Sequence, residues 1–145
     1  MRTKEFLGQL DHDRLVASIR AAEAQTSGQI RVYILRGKFE GDALTEAQSQ
    51  FRRLGMEGTS ERNGVLIFVI PRAQKFAVIG DEGIHAKCGG EFWDRLVNAM
   101  RDHFVRSNFT DALVEAVEEA GKALSLHFPR KSEPKNELPD EIIEG

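Results

Sequence analysis

The sequence predicts an α/β fold, a three-layer α/β/α sandwich on a small mixed β-sheet. Three observations carry that expectation. A strand-like, a helix-like and a second strand-like segment follow one another between Gln29 and Ile70, and strands joined through a helix lie parallel with a right-handed crossover. The second strand, Val65-Leu66-Ile67-Phe68-Val69-Ile70, is apolar at every position, the mark of a strand covered on both faces. Only a short turn, Pro71 to Gln74, separates it from a third strand, Lys75 to Gly80, so those two are antiparallel. A sheet covered on both faces needs helices on both sides.

The elements follow in order. From Asp11 to Gln25, Leu15, Val16, Ile19 and Ala22 share one helical face, with Asp11 or Asp13 as N-cap. Thr26-Ser27-Gly28 ends that helix. In the strand Gln29 to Leu35, Ile30, Val32 and Ile34 alternate with Arg31 and Tyr33, which predicts one well-buried face. Asp42 caps a helix from Ala43 to Leu54 whose stripe is Leu44, Ala47, Phe51 and Leu54. After the third strand, Trp93, Leu96, Val97, Met100 and Phe104 mark a helix from Glu91 to Arg106. Leu113, Ala116, Val117, Ala120 and Leu124 mark another from Thr110 to His127, with Asn108 or Thr110 as cap and Pro129 as stop. Residues 1–129 form one domain. The charged tail from Arg130 to Gly145 reads as extended, packing back through Leu138, Ile142 and Ile143.

Composition narrows the function. The 145 residues are 41% hydrophobic, enough for a real core, and the net charge of -3 carries no bias towards nucleic acid. One cysteine, Cys88, excludes an internal disulfide framework and a multi-cysteine metal site. The opening residues lack the apolar stretch of a signal peptide, and no apolar run is long enough to span a bilayer. The expectation is a cytoplasmic protein with no membrane span and no nucleic-acid partner. Phosphate-loop, dinucleotide-loop, serine-hydrolase and metalloprotease signatures are absent.

The topology gathers three loops at one end of the sheet. They hold Thr26, Ser27 and Gly28, then Glu61, Arg62, Asn63 and Gly64, then Gly80, Asp81, Glu82 and Gly83. The opposite end holds Arg36-Gly37-Lys38 and Pro71-Arg72-Ala73-Gln74, with no acidic residue until Glu40. Oxygen ligands suited to a hard cation therefore collect at the first end. Asp81 and Glu82 lie between two glycines that let the chain turn and a ligand approach, so these carboxylates are candidate metal ligands. Asn63 is a candidate carbonyl donor, Glu61 a further ligand and Arg62 a fork for phosphate. Against this stands the plainer reading of a solvated turn, with Asp81 capping the segment Gly83 to Lys87, Asn63-Gly64 merely entering a strand and Arg62 a surface arginine.

Three stretches resemble a known family: Thr26-Ser27-Gly28-Gln29-Ile30-Arg31-Val32, Glu61-Arg62-Asn63-Gly64-Val65-Leu66-Ile67 and Ile79-Gly80-Asp81-Glu82-Gly83-Ile84. They look like the TPM domain, the domain of the thylakoid lumen acid phosphatase, the photosystem II repair protein and the MOLO receptor modulator. The tail Asn136-Glu137-Leu138-Pro139-Asp140-Glu141 resembles a short, soluble bacterial branch. The resemblance implies an α/β/α sandwich, a Ca²⁺ or Mg²⁺ site and, in some members, phosphomonoesterase activity. Other members look like assembly or repair factors. The segment Phe6-Leu7-Gly8-Gln9-Leu10-Asp11 departs from the family's aspartate-containing opening motif.

Two functions follow as expectations. One is a divalent-metal-dependent phosphomonoester hydrolase: Asp81, Glu82, Asn63 and Glu61 hold the cation, and Asp81, Glu82 and Arg62 serve a phosphomonoester substrate. The other is a non-catalytic, metal-stabilised module that docks on a protein partner in assembly or repair. No residue reads as a nucleophile or general base, which favours the second; the phosphatase members of the family it resembles favour the first.

Overall fold

The computed structural model describes residues 1–130 and 142–145. Its element order is α1 (Thr3–Gln9), α2 (His12–Glu23), β1 (Gln29–Ile34), α3 (Ala43–Arg53), β2 (Gly64–Ile70), β3 (Lys75–Gly80), α4 (Glu82–Cys88), α5 (Gly90–Val105), α6 (Phe109–His127) and β4 (Ile142–Glu144). The sheet runs β3-β2-β1-β4. β1 and β2 are parallel, with Gln29 opposite Gly64, and β2 and β3 are antiparallel, with Val65 opposite Gly80. The predicted mixed sheet and its helical layers are therefore present, with β2 inside the sheet and buried along its whole length.

The two faces are unequal. Ile30, Val32, Ile34, Val65, Ile67 and Val69 pack against the layer built around α2, α5 and α6. Tyr33, Leu66, Phe68 and Ile70 pack on the other side against Ala43, Ala47 and Phe51 of α3 and Met56 of the following turn. Asp11 caps α2 by accepting from the Arg14 N–H at 3.1 Å, and Asp42 caps α3 by accepting from Thr45 at 2.9 Å. Each such cap satisfies one N–H that the helix itself leaves unpaired.

Several expectations need correction. β1 is buried on both faces, Arg31 and Tyr33 included. β4 pairs parallel to its outer side, with Val32 opposite Ile142 and Tyr33 opposite Ile143, and Tyr33 joins the apolar cluster on the α3 side. Tyr33 also packs on Phe68, ring centroids 5.5 Å apart. The end of the tail thus returns to the sheet through Ile142 and Ile143. Leu138 and the segment 136–141 lie outside the described residues. On α3, Leu44 is 48% exposed and not part of the buried stripe. Gln50 is buried in its place and donates to Glu46 at 2.9 Å. Asn108 occupies the N-cap of α6 without a side-chain bond to the helix. Thr110 accepts instead from the Asp11 N–H at 3.0 Å, tying α6 to the start of α2.

Candidate functional site

The three loops meet as the topology requires, and the structure explains each of their residues by what it touches. Thr26 is buried; its hydroxyl donates to the Leu124 and Phe128 carbonyls and accepts from the Gly28 N–H, so it fastens the end of α6 beside β1. At Gly28 a Cβ would stand 2.7 Å from Leu124 Cδ2 and 3.0 Å from the Asn63 carbonyl oxygen. Only glycine lets α6 and the β2 entrance close on that point. Asn63 is buried, its N–H donates to Thr59 Oγ1 and its side-chain amide donates to Ser27 Oγ at 3.1 Å. Ser27 in turn donates to Glu61 Oε1 at 3.2 Å.

The glycines around Asp81 and Glu82 serve a different purpose from the one expected. Neither has a positive φ. A Cβ on Gly80 would run into the Trp93 ring, and a Cβ on Gly83 would meet the carbonyl oxygens of Glu61 and Arg62. What approaches these glycines so closely is the protein's own core and backbone. The Gly83 N–H donates to the Arg62 carbonyl at 2.8 Å, and the Asp81 N–H donates to the Gly64 carbonyl at 2.9 Å. The loop before β2 and the start of α4 are thereby joined.

Asp81 and Arg62 lock this junction. Asp81 is 6% exposed, sits at the N-cap of α4 and accepts from the Glu82 N–H at 2.8 Å. Arg62 spans its carboxylate with both arms of the fork, Nε to Oδ2 at 2.7 Å and Nη2 to Oδ1 at 2.9 Å, the bidentate geometry that a guanidinium makes best. Glu82 Oε1 lies 3.3 Å from Nη1, and Glu57 Oε2 lies 3.6 Å from Nη2. The hydrogen bonds to Asp81, with the neighbouring charges of Asp81, Glu82 and Glu57, hold the Arg62 guanidinium above its ordinary pKa. Arg62 itself takes φ of 51°, an unfavourable conformation for a long side chain that the surrounding bonds have to maintain.

The sequence reasoning placed Asp81, Glu82, Glu61, Arg62 and Asn63 at one edge, and they are there. It did not include Glu57, which reaches Arg62 from the turn Met56–Gly58; its only signal was an acid a few residues ahead of Arg62. Nor do the residues form a ready cation shell. Both Asp81 oxygens face a guanidinium, Glu61 is engaged by Ser27, Asn63 turns an N–H donor to Ser27, and Glu82 is 74% exposed at its side chain. Among the described residues no group of three His, Cys, Asp or Glu side chains converges as a metal site would require. Elsewhere, Cys88 at the end of α4 is half-buried and burial pushes its thiol pKa up, the setting of an inert thiol.

A family model for the TPM domain matches residues 2–123. The chain belongs to the TPM domain family. No curated protein matches it. Among solved structures, BA42 protein from the psychrophilic bacterium Bizionia argentinensis is 38% identical, with a TM-score of 0.84 over 94% of this chain and 96% of that one. The N-terminal domain of cg2496 protein from Corynebacterium glutamicum is 18% identical, with a TM-score of 0.61 over 81% of this chain and 75% of that one. The second likeness is one of fold. In this TPM domain no helix among the described residues is long and apolar enough to cross a membrane.

Proposed function

We propose that this chain is a non-catalytic TPM domain that works as a protein-binding module in assembly or repair. The observation that carries the reading is the bidentate Arg62–Asp81 pair. Asp81 uses both carboxylate oxygens, on an arginine fork and a helix cap. The motif residues around it, Thr26, Gly28, Asn63, Gly80 and Gly83, all have packing or hydrogen-bonding duties. A residue set that closes a junction between loops gives a rigid surface, which a docking module requires.

Membership of the TPM family favours a second reading, a divalent-metal-dependent phosphomonoester hydrolase using Ca²⁺ or Mg²⁺ at Asp81, Glu82, Asn63 and Glu61, with Arg62 on the phosphoryl group. That reading requires Arg62 to leave Asp81. The test is hydrolysis of para-nitrophenyl phosphate with Mg²⁺, with Ca²⁺ and with chelator, by the wild type and by the Asp81→Ala/Glu82→Ala double variant, each checked for fold by circular dichroism. The expected result is no cation-dependent turnover that the double variant loses. Cation-dependent turnover in the wild type, abolished in the still-folded double variant, would replace the docking reading with the hydrolase.

A further inference from the structure

The opposite end of the sheet holds a cavity of about 520 Å³ where β2 ends at Val69 and Ile70. That volume lies within the range of small-ligand pockets, and the carboxyl ends of parallel strands are where α/β folds place ligands. Phe6, Phe76, Phe104 and Phe109 form its wall, with Val105 and Arg101 at its mouth. The rings touch as one cluster: centroids are 5.0 Å apart for Phe6–Phe109 and 4.9 Å for Phe76–Phe104. Three of the four rings remain only half-buried, and Val105 is 79% exposed. An aromatic cluster is normally sealed by its own domain; this one is open.

The charge at the mouth has one sign. No acidic side chain lines the cavity among the described residues. The Arg101 guanidinium lies over the Phe76 ring, 5.7 Å from its centroid, and donates to Asn98. No described carboxylate is within ion-pair distance of it. Lys75 also lines the cavity but directs its ammonium to the Gly41 carbonyl at 2.7 Å. Two carbonyls of the last turn of α5, those of His103 and Phe104, are met by the chain itself, through N–H groups of Arg106, Ser107 and Asn108. α6 begins at the same place with no side-chain cap, and the acid of its first turn, Asp111, is paired with Arg14 at 2.9 Å. Two helix ends therefore border the cavity, the C-terminus of α5 with its His103 and Phe104 carbonyls already bonded and the positive start of α6.

Backbone strain marks the same place. Three non-glycine residues have positive φ among the described residues, and two of them, Gln74 at 54° and Ser107 at 61°, line this cavity. Such conformations cost free energy and gather at ligand sites.

We propose that this cavity binds an amphipathic monocarboxylate, its apolar body among the phenylalanines and its carboxylate on Arg101 at the start of α6. The test is a titration with phenylbutyrate and with the corresponding neutral alcohol, phenylbutanol, followed by amide chemical shifts and calorimetry. Arg101→Gln removes the charge at the mouth, and Arg95→Gln on the exposed face of α5 serves as control. The expected result is saturable phenylbutyrate binding with shifts confined to residues 74–76 and 101–109. Arg101→Gln should weaken it about tenfold, the size of one charge-assisted contact, and Arg95→Gln should not change it. Absence of binding, equal affinity for the alcohol, or indifference to Arg101→Gln would each overturn the proposal.

Discussion

Gly83→Ala is expected to destabilise the fold by about 3 kcal/mol, roughly 10 °C in melting temperature for a chain of this size. The added methyl group would be driven into the carbonyl oxygens of Glu61 and Arg62. These are backbone atoms, so no side-chain rotation relieves the clash. The Gly83 N–H is bonded to that same Arg62 carbonyl, so retreat of the loop would break the bond that joins it to α4 and loosen the grip of Arg62 on Asp81. Gly90→Ala is the matched comparison: nothing lies within 4 Å of the new methyl, and the position is helical. It should be neutral or stabilising by less than about 1 kcal/mol. Thermal melts of the two variants check this, and a Gly83→Ala protein as stable as Gly90→Ala would contradict the close approach.

The double variant Ile142→Asp/Ile143→Asp is expected to lose about 2–4 kcal/mol, because it puts a charge in place of an apolar contact on each face of β4. Ile142 packs on the α2–α5–α6 side and Ile143 on the α3 side, so both faces of the edge lose an apolar residue. Backbone bonds from Gly145 to Ile34 at 3.1 Å and from Arg36 to Gly145 at 2.6 Å would fray with them. The exposed Arg36–Glu144 ion pair contributes little by comparison. Removing β4 uncovers the outer edge of β1, a row of unpaired backbone groups on a strand buried along its length, and such edges self-associate. Sedimentation should then show concentration-dependent oligomers alongside a lower melting temperature. A variant whose melting and sedimentation match the wild type would show that Ile142 and Ile143 are not part of the sheet.

The parts of the fold legible in the sequence are those where one physical rule decides. An unbroken apolar run from Val65 to Ile70 needs two covering layers, and the four residues from Pro71 to Gln74 permit only an antiparallel return. The elements that escaped have weak local signals. α1 starts at Thr3 behind an Arg2 that makes no cap bond and contains Gly8. α4, by contrast, is foreshadowed by the reading of Asp81 as the cap of a segment from Gly83 to Lys87, although Gly83 in its first turn is a poor helix former held there by the loop it contacts. β4 is three residues long and is a strand only because β1 offers an edge. The same edge explains why alternation in β1 misled: Arg31 and Tyr33 are amphipathic enough to be buried once the strand is interior.

At the candidate site the convergence of loops was legible because it follows from topology alone. The partnership of Arg62 with Asp81 was not, since the two are separated by a whole hairpin and residue type cannot distinguish a free fork from an engaged one. The flanking glycines were equally ambiguous. A glycine next to a carboxylate signals a close approach, but the sequence does not say whether a ligand or the protein's own Trp93 and Glu61 makes it.

On the proposed reading, Arg62 closes this edge in place of a cation. Ca²⁺ and Mg²⁺ titrated into labelled protein, with the Asp81 and Glu82 amides and the Arg62 Nε–H as reporters, should then produce no saturable change at these groups in the wild type through millimolar ion. Arg62→Ala, where Asp81, Glu82 and Glu57 lose their shared counter-charge, should show a saturable response centred on Asp81. Saturation in the wild type, with shifts centred on Asp81 and Glu82 and release of the Arg62 Nε–H, would contradict it.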